Sequence, residues 1–306
     1  MYFFAKLVLL IMKSLILSDK NMVAPVLPSQ PIVDVQWLDT YFDHPRLIIL
    51  DASMPKVGGA AEENPYANLK IKNARFFDIE QKFSDVNSSL PHTIPYPAHF
   101  TQEARNLGIN QDSIIIVYDN IGIYSAPRAW WLFRTMGHRE VFVLNGGLPA
   151  WISAGKATEP INEQPVKLKE GNFFAQYNAN AVKNVTEVLQ AIYDKNQVII
   201  DARSEARFLG KVEEPRQGLR KGHIPSAKNI PFTKVQKNNL LLDKEALEKI
   251  FEEVATKDQS LVFSCGSGVT ACVLALSAEI AGYHAYSIYD GSWSEWGRPS
   301  DLPIEI

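Results

Sequence analysis

The sequence predicts an α/β protein of two tandem domains, each a parallel central sheet with helices on both faces. Three observations predict it. The chain matches itself at an offset of about 150 residues. Within each half, short β-branched runs alternate with helical patterns. The strands read as continuous apolar runs rather than alternating ones, as a parallel sheet covered on both faces requires.

Four blocks carry the repeat in the same order in both halves. Leu47-Ile48-Ile49-Leu50-Asp51-Ala52-Ser53 parallels Val198-Ile199-Ile200-Asp201-Ala202-Arg203. Ile71-Lys72-Asn73-Ala74-Arg75-Phe76-Phe77 parallels Ile224-Pro225-Ser226-Ala227-Lys228-Asn229-Ile230. Ile115-Ile116-Val117-Tyr118-Asp119 parallels Leu261-Val262-Phe263-Ser264-Cys265, and Asn145-Gly146-Gly147-Leu148 with Trp151 parallels Asp290-Gly291-Ser292-Trp293 with Trp296. Two homologous domains are therefore expected over residues 25–157 and 179–306. Residues 158–178 between them, with two prolines and several charges, read as a linker.

Taken along the chain, residues 1–24 read as a non-globular extension, with Met22 the expected start. The apolar run from Leu7 to Leu17 is broken by Lys13, falls short of the roughly 20 residues a bilayer span takes, and is followed by no small-x-small cleavage site. The runs Ile114-Ile115-Ile116-Val117 and Val198-Ile199-Ile200 are expected as buried strands. Apolar residues at three- and four-residue steps from Lys244 to Phe251 predict an amphipathic helix, and residues 271–281 a more apolar, sandwiched one.

The length of 306 residues accommodates two ordinary domains, and 46% hydrophobic with 21% charged residues is the composition of a soluble globular protein. A net charge of −3 gives no reason to expect nucleic acid or an anionic membrane as partner. Two cysteines exclude a disulfide scaffold. If Cys265 and Cys272 lie at the start of one helix they are ~10 Å apart, beyond the roughly 7 Å that a bridge tolerates. Too few ligands are present for zinc, so no metal or cofactor is expected.

Chemistry concentrates in Ser264-Cys265-Gly266-Ser267-Gly268-Val269-Thr270-Ala271. This stretch follows an apolar strand and precedes a helix, where sites form in open α/β sheets. Gly266 and Gly268 permit backbone conformations closed to other residues. Successive N–H groups of residues 266–270 can then converge as an anion nest, reinforced by the helix N-terminus. A thiol held there is expected to ionise more readily than a free one, near 8.5. Most free cysteines are small buried hydrophobes, and Cys272, inside the helix, fits that description; a strand-Cys-Gly-Ser-Gly-helix corner does not. Phosphatases of the C-x5-R type place an arginine where this chain has Ala271, which leaves sulfur transfer through a covalent persulfide.

At this point the sequence resembles the two-domain sulfurtransferases of the rhodanese family, over nearly all of residues 30–305. The likeness rests on Ser125-Ala126-Pro127-Arg128-Ala129-Trp130-Trp131, Gly222-His223-Ile224-Pro225, the loop from Cys265 to Thr270, and Tyr289-Asp290-Gly291-Ser292-Trp293-Ser294-Glu295-Trp296. It implies that only the C-terminal domain is catalytic, with Asp119 standing at the cysteine position of the other. It implies Cys265 as nucleophile and persulfide carrier, the amides of Gly266, Ser267, Gly268, Val269 and Thr270 as its anion hole, and Arg207 and Arg216 as binders of the substrate's carboxylate and carbonyl. Gly266 and Ser267 stand where thiosulfate-using members carry a basic pair, the pattern of members that take 3-mercaptopyruvate and release pyruvate. Thiosulfate as donor, or a non-catalytic sulfur carrier or scaffold, are the alternatives.

Ser267 has two readings, a proton-transfer group or a cap for the helix. Thr270 reads as structural, His223 as a fold residue, and Asp201 beside Arg203 as a group that orients a loop. Arg203 and Arg220 are not assigned to the pocket. The tryptophans read as packing, with Trp37 and Trp130 as candidate walls of an interdomain cleft. Many relatives carry a histidine in the N-terminal domain where this chain has Lys70, and in some it is assigned to a serine-centred proton relay. Either that relay is not needed here, or Lys70 with a lowered pKa serves as a substitute, or turnover is slow. The acceptor is expected to be a thiol, cyanide or a thioredoxin-like protein, and the protein a cytoplasmic monomer.

Overall fold

The computed structural model describes residues 24–56, 64–161 and 168–306. Most of the expected N-terminal extension, and residues 162–167 of the expected linker, lie outside the described residues. In chain order, the first domain contains β1 (Ile32–Val33), α1 (Val35–Thr40), β2 (Leu47–Asp51), β3 (Leu69–Ile71), β4 (Arg75–Phe76), α2 (Pro97–Asn106), β5 (Ile114–Tyr118), α3 (Ala126–Thr135), β6 (Val141–Leu144), α4 (Gly147–Ser153) and β7 (Thr158–Pro160). The second contains β8 (Val182–Lys183), α5 (Val185–Ala191), β9 (Gln197–Asp201), α6 (Glu205–Phe208), β10 (Lys228–Asn229), β11 (Gln236–Lys237), β12 (Leu240–Leu241), α7 (Lys244–Glu252), β13 (Ser260–Ser264), α8 (Ala271–Ile280), β14 (Tyr286–Tyr289) and α9 (Ser292–Trp296).

Each domain is built on a five-stranded sheet, β1-β6-β5-β2-β4 and β8-β14-β13-β9-β10, and every pairing within both is parallel. The two orders superimpose strand for strand, so the four repeated sequence blocks mark equivalent elements. The apolar strand runs follow from burial on both sides. Ile115 and Val117 of β5 join the core under α2 and α3, while Ile114, Ile116 and Tyr118 face α1 and α4. In the second domain Leu261 and Phe263 pack with α7 and α8, and Val262 with α5 and α9.

Local signals set the helix ends. Asp34 and Asp243 cap α1 and α7, and Asn184 with Glu187 forms a capping box on α5. Helix α8 is buried at every position but Glu279, and α3 at every position but Arg134. These two helices pack on each other, so one continuous core runs through both domains.

The described parts of the segment expected as a linker, residues 158–161 and 168–178, pack onto the first domain. Strand β7 pairs antiparallel with β3. Further on, the N–H groups of Gly171, Phe173, Gln176 and Asn178 donate to the carbonyls of Arg105, Ile109, Met136 and Thr135. Phe173 is fully buried against Phe100 and Phe133. Its aromatic ring supplies the packing that composition alone concealed. Among the described residues no helix is long and apolar enough to cross a membrane.

Phe100 is fully buried and its ring touches those of Phe77, Phe83, Phe133 and Phe173. Replacing it by alanine is expected to cost about 3–5 kcal/mol, read as a lower urea midpoint with the slope unchanged.

Candidate active site

Strand β13 ends at Ser264, and Cys265 turns the chain toward α8. Gly268 adopts a positive φ of 78°, the left-handed conformation for which glycine carries no Cβ penalty. Four hydrogen bonds fix the start of the loop from below. The Cys265 N–H donates to Ser292 Oγ at 3.2 Å, and the Cys265 and Gly266 carbonyls accept from the N–H groups of Trp293 and Ser294. Ser294 Oγ also donates to the Gly266 carbonyl at 2.6 Å. Ser292 sits at φ 48°, unusual for a side-chain-bearing residue. At the matched position the first domain has Gly147, where a Cβ would stand 2.2 Å from the Asp119 carbonyl oxygen. The second domain thus keeps a hydroxyl where the first has room for none, and its role was readable only in that repeated block.

The first domain shows what such a corner is shaped to hold. Asp119, fully buried, occupies the position equivalent to Cys265. Its Oδ1 accepts from the N–H groups of Ile121 and Gly122 at 3.0 and 2.8 Å. Its Oδ2 accepts from Tyr124, Ser125 and Ala126 at 2.8, 2.9 and 2.9 Å. Five amides converge on one anion. In the second domain the N–H groups of residues 266–270 have no acceptor among the described residues.

The arginines divide as their neighbours dictate. Arg203 is buried, bound to Asp201, Glu214 and the Gly222 carbonyl, and lies over the Trp293 ring at 4.2 Å, so it and Asp201 belong to the framework. Arg220 bonds to the carbonyls of Trp296, Ser300 and Leu302. His223 Nδ1 donates to the Phe208 carbonyl, and its ring stacks on the Phe208 ring at 3.7 Å. Arg207 and Arg216 reach the loop. A Cβ on Gly266 would meet Arg207 Nη2 at 3.2 Å and Arg216 Nη1 at 3.6 Å. Arg207 pairs with Glu214 at 2.6 Å, a carboxylate it shares with Arg203. Arg216 has no carboxylate within ion-pair distance among the described residues, and its Nη2 lies 3.4 Å from Ser267 Oγ. Burial pushes the Arg216 guanidinium below its ordinary value, the Cys265 sulfur opposes this, and Arg207 adds to it.

Ser267 is buried and its hydroxyl lies 2.9 Å from Nδ1 of His92, a residue of the other domain. Lys70 is not the substitute the sequence suggested. Its Nζ donates to the Ala74 carbonyl at 2.8 Å and pairs with Glu159 at 3.2 Å, holding β3 against β7. His92 was missed because it sits in an aperiodic Pro91-His92-Thr93-Ile94-Pro95 stretch whose course toward the second domain no local pattern encodes. Its φ of 59° is a second unusual backbone angle at the site. Burial, then the positive charges of Arg128 and Arg216, lower its pKa to about 4. Glu80 Oε1 stands 3.9 Å from Nε2, but Glu80 is half exposed, and solvent weakens its opposing pull.

Arg128, fully buried, donates to Asp290 at 2.8 Å and to the His92 carbonyl at 2.5 Å, with a longer contact to the Gly268 carbonyl at 3.4 Å. It also lies over the Trp131 ring at 4.6 Å. Cys272 is buried with its sulfur on the Gly268 carbonyl, and burial pushes its thiol up to about 12. Trp130 is fully buried in the core and walls no cleft. Trp37 packs on Tyr41 and Phe142 and donates to the Val26 carbonyl, on the outer face of the first domain. Large apolar rings at helix positions found packing partners, as aromatic side chains usually do.

Comparison with known proteins matches the rhodanese-like domain to residues 34–154 and again to 184–298. The 3-mercaptopyruvate sulfurtransferase of Escherichia coli K12 is 44% identical over 278 residues, covering 89% of this chain and 97% of that protein. The mitochondrial thiosulfate/3-mercaptopyruvate sulfurtransferase 1 of Arabidopsis thaliana is 40% identical, covering 90% and 78%. Among solved structures, SseA from Escherichia coli, described as a 3-mercaptopyruvate sulfotransferase with the rhodanese fold, has a TM-score of 0.76 and 41% identity, covering 87% of this chain and 100% of that one.

Asp119→Asn removes one acceptor oxygen and points an NH2 group at amides that can only donate. A loss of about 3 kcal/mol or more is expected in chemical denaturation.

Proposed function

The chain belongs to the rhodanese family, and on that premise we propose that it moves a sulfur atom from 3-mercaptopyruvate, through a persulfide on Cys265, to a thiol or cyanide, releasing pyruvate. The observation that carries this reading is the hydrogen bond between Ser267, two residues past the nucleophile, and a neutral histidine from the opposite domain. A proton relay beside a cysteine in an amide-lined corner suits a donor whose departing fragment must be protonated.

In this mechanism the Cys265 thiolate attacks the donor's sulfur. An S–S bond forms, the donor's C–S bond breaks, and its electron pair passes to C3 of the leaving fragment as an enolate. The proton that began on the donor thiol ends on C3, giving pyruvate and the Cys265 persulfide anion. Ser267 and His92 are the groups placed to carry that proton. With the imidazole proton on Nε2, toward Glu80, Nδ1 accepts from the Ser267 hydroxyl. The converging N–H groups of the loop, by analogy with those around Asp119, hold the persulfide charge. The acceptor then takes the outer sulfur and the electron pair of the S–S bond returns to Cys265. All the groups needed come from one chain, so a monomer suffices.

Charge favours mercaptopyruvate over thiosulfate. Of the two arginines that reach the loop, Arg207 is offset by Glu214, and Arg216 has no carboxylate partner among the described residues. One free guanidinium suits the single carboxylate of an α-keto acid better than a dianion.

Intact mass after incubation with mercaptopyruvate should show one added sulfur that a reductant removes, and Cys265→Ser should gain nothing; wild type without the added mass sinks the reading. kcat/KM for mercaptopyruvate should exceed that for thiosulfate, and the reverse order would replace the donor. Ser267→Ala and His92→Gln should each lower kcat by about 10²-fold or more.

A pH profile checks the histidine's state. Because the folded pKa is lowered to about 4, the acid limb of kcat belongs near pH 4, not near 6.5. By the same shift the unfolded chain takes up this proton first. Stability should therefore fall as pH drops from 6.5 toward 4, and His92→Gln should flatten that fall.

A further inference from the structure

Beside the site, on its solvent side, lies a groove of about 390 Å³ between the loop of Ser88, Ser89 and Pro91 in the first domain and the segment 216–219 in the second. Two arginines line it, Arg216 and Arg298, and no acidic residue does. Neither has a carboxylate within ion-pair distance among the described residues. Arg216 joins the groove to the chemistry, since it also lies against Ser267 Oγ. Arg298 is held rather than loose. Its Nη2 donates to the Ser89 carbonyl at 2.6 Å, Nη1 to Ser89 Oγ at 3.2 Å and Nε to the Ser294 carbonyl at 3.1 Å. A guanidinium has five N–H groups, so two remain. Ser294 in turn holds the Gly266 carbonyl, so Arg298 is fixed to the same frame as Cys265.

We propose that this groove docks the sulfur acceptor, that the acceptor is a small thiol bearing a carboxylate, and that Arg298 is the residue that selects it. The inference rests on the persulfide reading above. The volume falls in the range of small-molecule sites, and a pre-fixed cation with spare donors in an acid-free groove suits a carboxylate. In the step itself the acceptor thiol gives its proton to the Cys265 persulfide anion, and the resulting thiolate attacks the outer sulfur. A new S–S bond forms, the old one breaks, and its electron pair returns to Cys265 as thiolate. The acceptor leaves as its own persulfide with the proton. Its sulfur is oxidised as Cys265 is reduced, so no further oxidant enters.

The test isolates the second half-reaction. Cys265 is loaded with sulfur from inorganic polysulfide, and discharge is timed with mercaptosuccinate, with 2-mercaptoethanol and with reduced thioredoxin. The readout is the ratio of second-order rate constants, mercaptosuccinate over 2-mercaptoethanol. That ratio should fall about tenfold in Arg298→Gln. Arg298→Lys, which keeps the charge, should retain part of it, and in the wild type the ratio should decline as salt is raised. Equal losses with both thiols, leaving the ratio unmoved, would make Arg298 a latch on Ser89 and overturn the proposal. A loss confined to thioredoxin would overturn it too, by making the groove a protein-docking surface. Loading from polysulfide but not from mercaptopyruvate would sink the donor assignment while this measurement still stands.

Discussion

The ion pair between Arg128 and Asp290 joins the two domains where the chemistry is. Both partners are buried, and taking two charges out of water is costly unless their remaining hydrogen-bonding capacity is used. Here much of it is. Asp290 Oδ2 accepts the Ile94 N–H at 2.7 Å, while Arg128 adds the His92 carbonyl and a long contact to the Gly268 carbonyl. The pair therefore fixes more than a domain angle. It ties together the backbone on either side of the Ser267–His92 hydrogen bond, and both His92 and Gly268 hold left-handed conformations there. A histidine in that conformation persists only where surroundings over-determine it.

Duplication explains how the second domain could become reactive without inventing a new scaffold. Both copies present a strand-to-helix corner, and in the first its amides turn inward. In the first, a carboxylate supplied by the chain saturates it, and the corner becomes a permanent structural knot. In the second, the shorter side chain of Cys265 leaves the N–H groups of residues 266–270 without an acceptor among the described residues, as the proposed persulfide would need. The Gly147 and Ser292 contrast belongs to the same divergence. The first copy lets the backbone close against Asp119, and the second uses a hydroxyl to fix the Cys265 amide. The first domain still shapes the corner of the second, because His92 and Arg128 come from it.

Electrostatic sharing sets the character of the pocket. Asp201 and Glu214 together neutralise Arg203, and Glu214 extends to Arg207. That arrangement sets the acids on Arg203 and Arg207 and leaves Arg216 and Arg298, among the described residues, as cations near the loop without acidic partners. The site thus attracts anions while the surrounding frame stays balanced, which limits the self-repulsion that clustered arginines would otherwise cause.

Much of this was legible in the sequence. Strand runs, caps and helix periodicity are local properties, and the four repeated blocks fixed a double α/β architecture. A cysteine between a strand and a helix, collared by small residues, marked the corner where we place the nucleophile, because the geometry of that corner is set by its own few residues. What the sequence left undecided was every contact between distant segments. His92 and Ser267 are 175 positions apart, Arg128 and Asp290 162, and the packing of Phe173 depends on rings far from the segment read as a linker. Whether Lys70 or His92 meets the serine depends on how two complete domains pack face to face. Local spacing cannot specify that; the fit of α3 on α8 and the buried charges around Arg128 do.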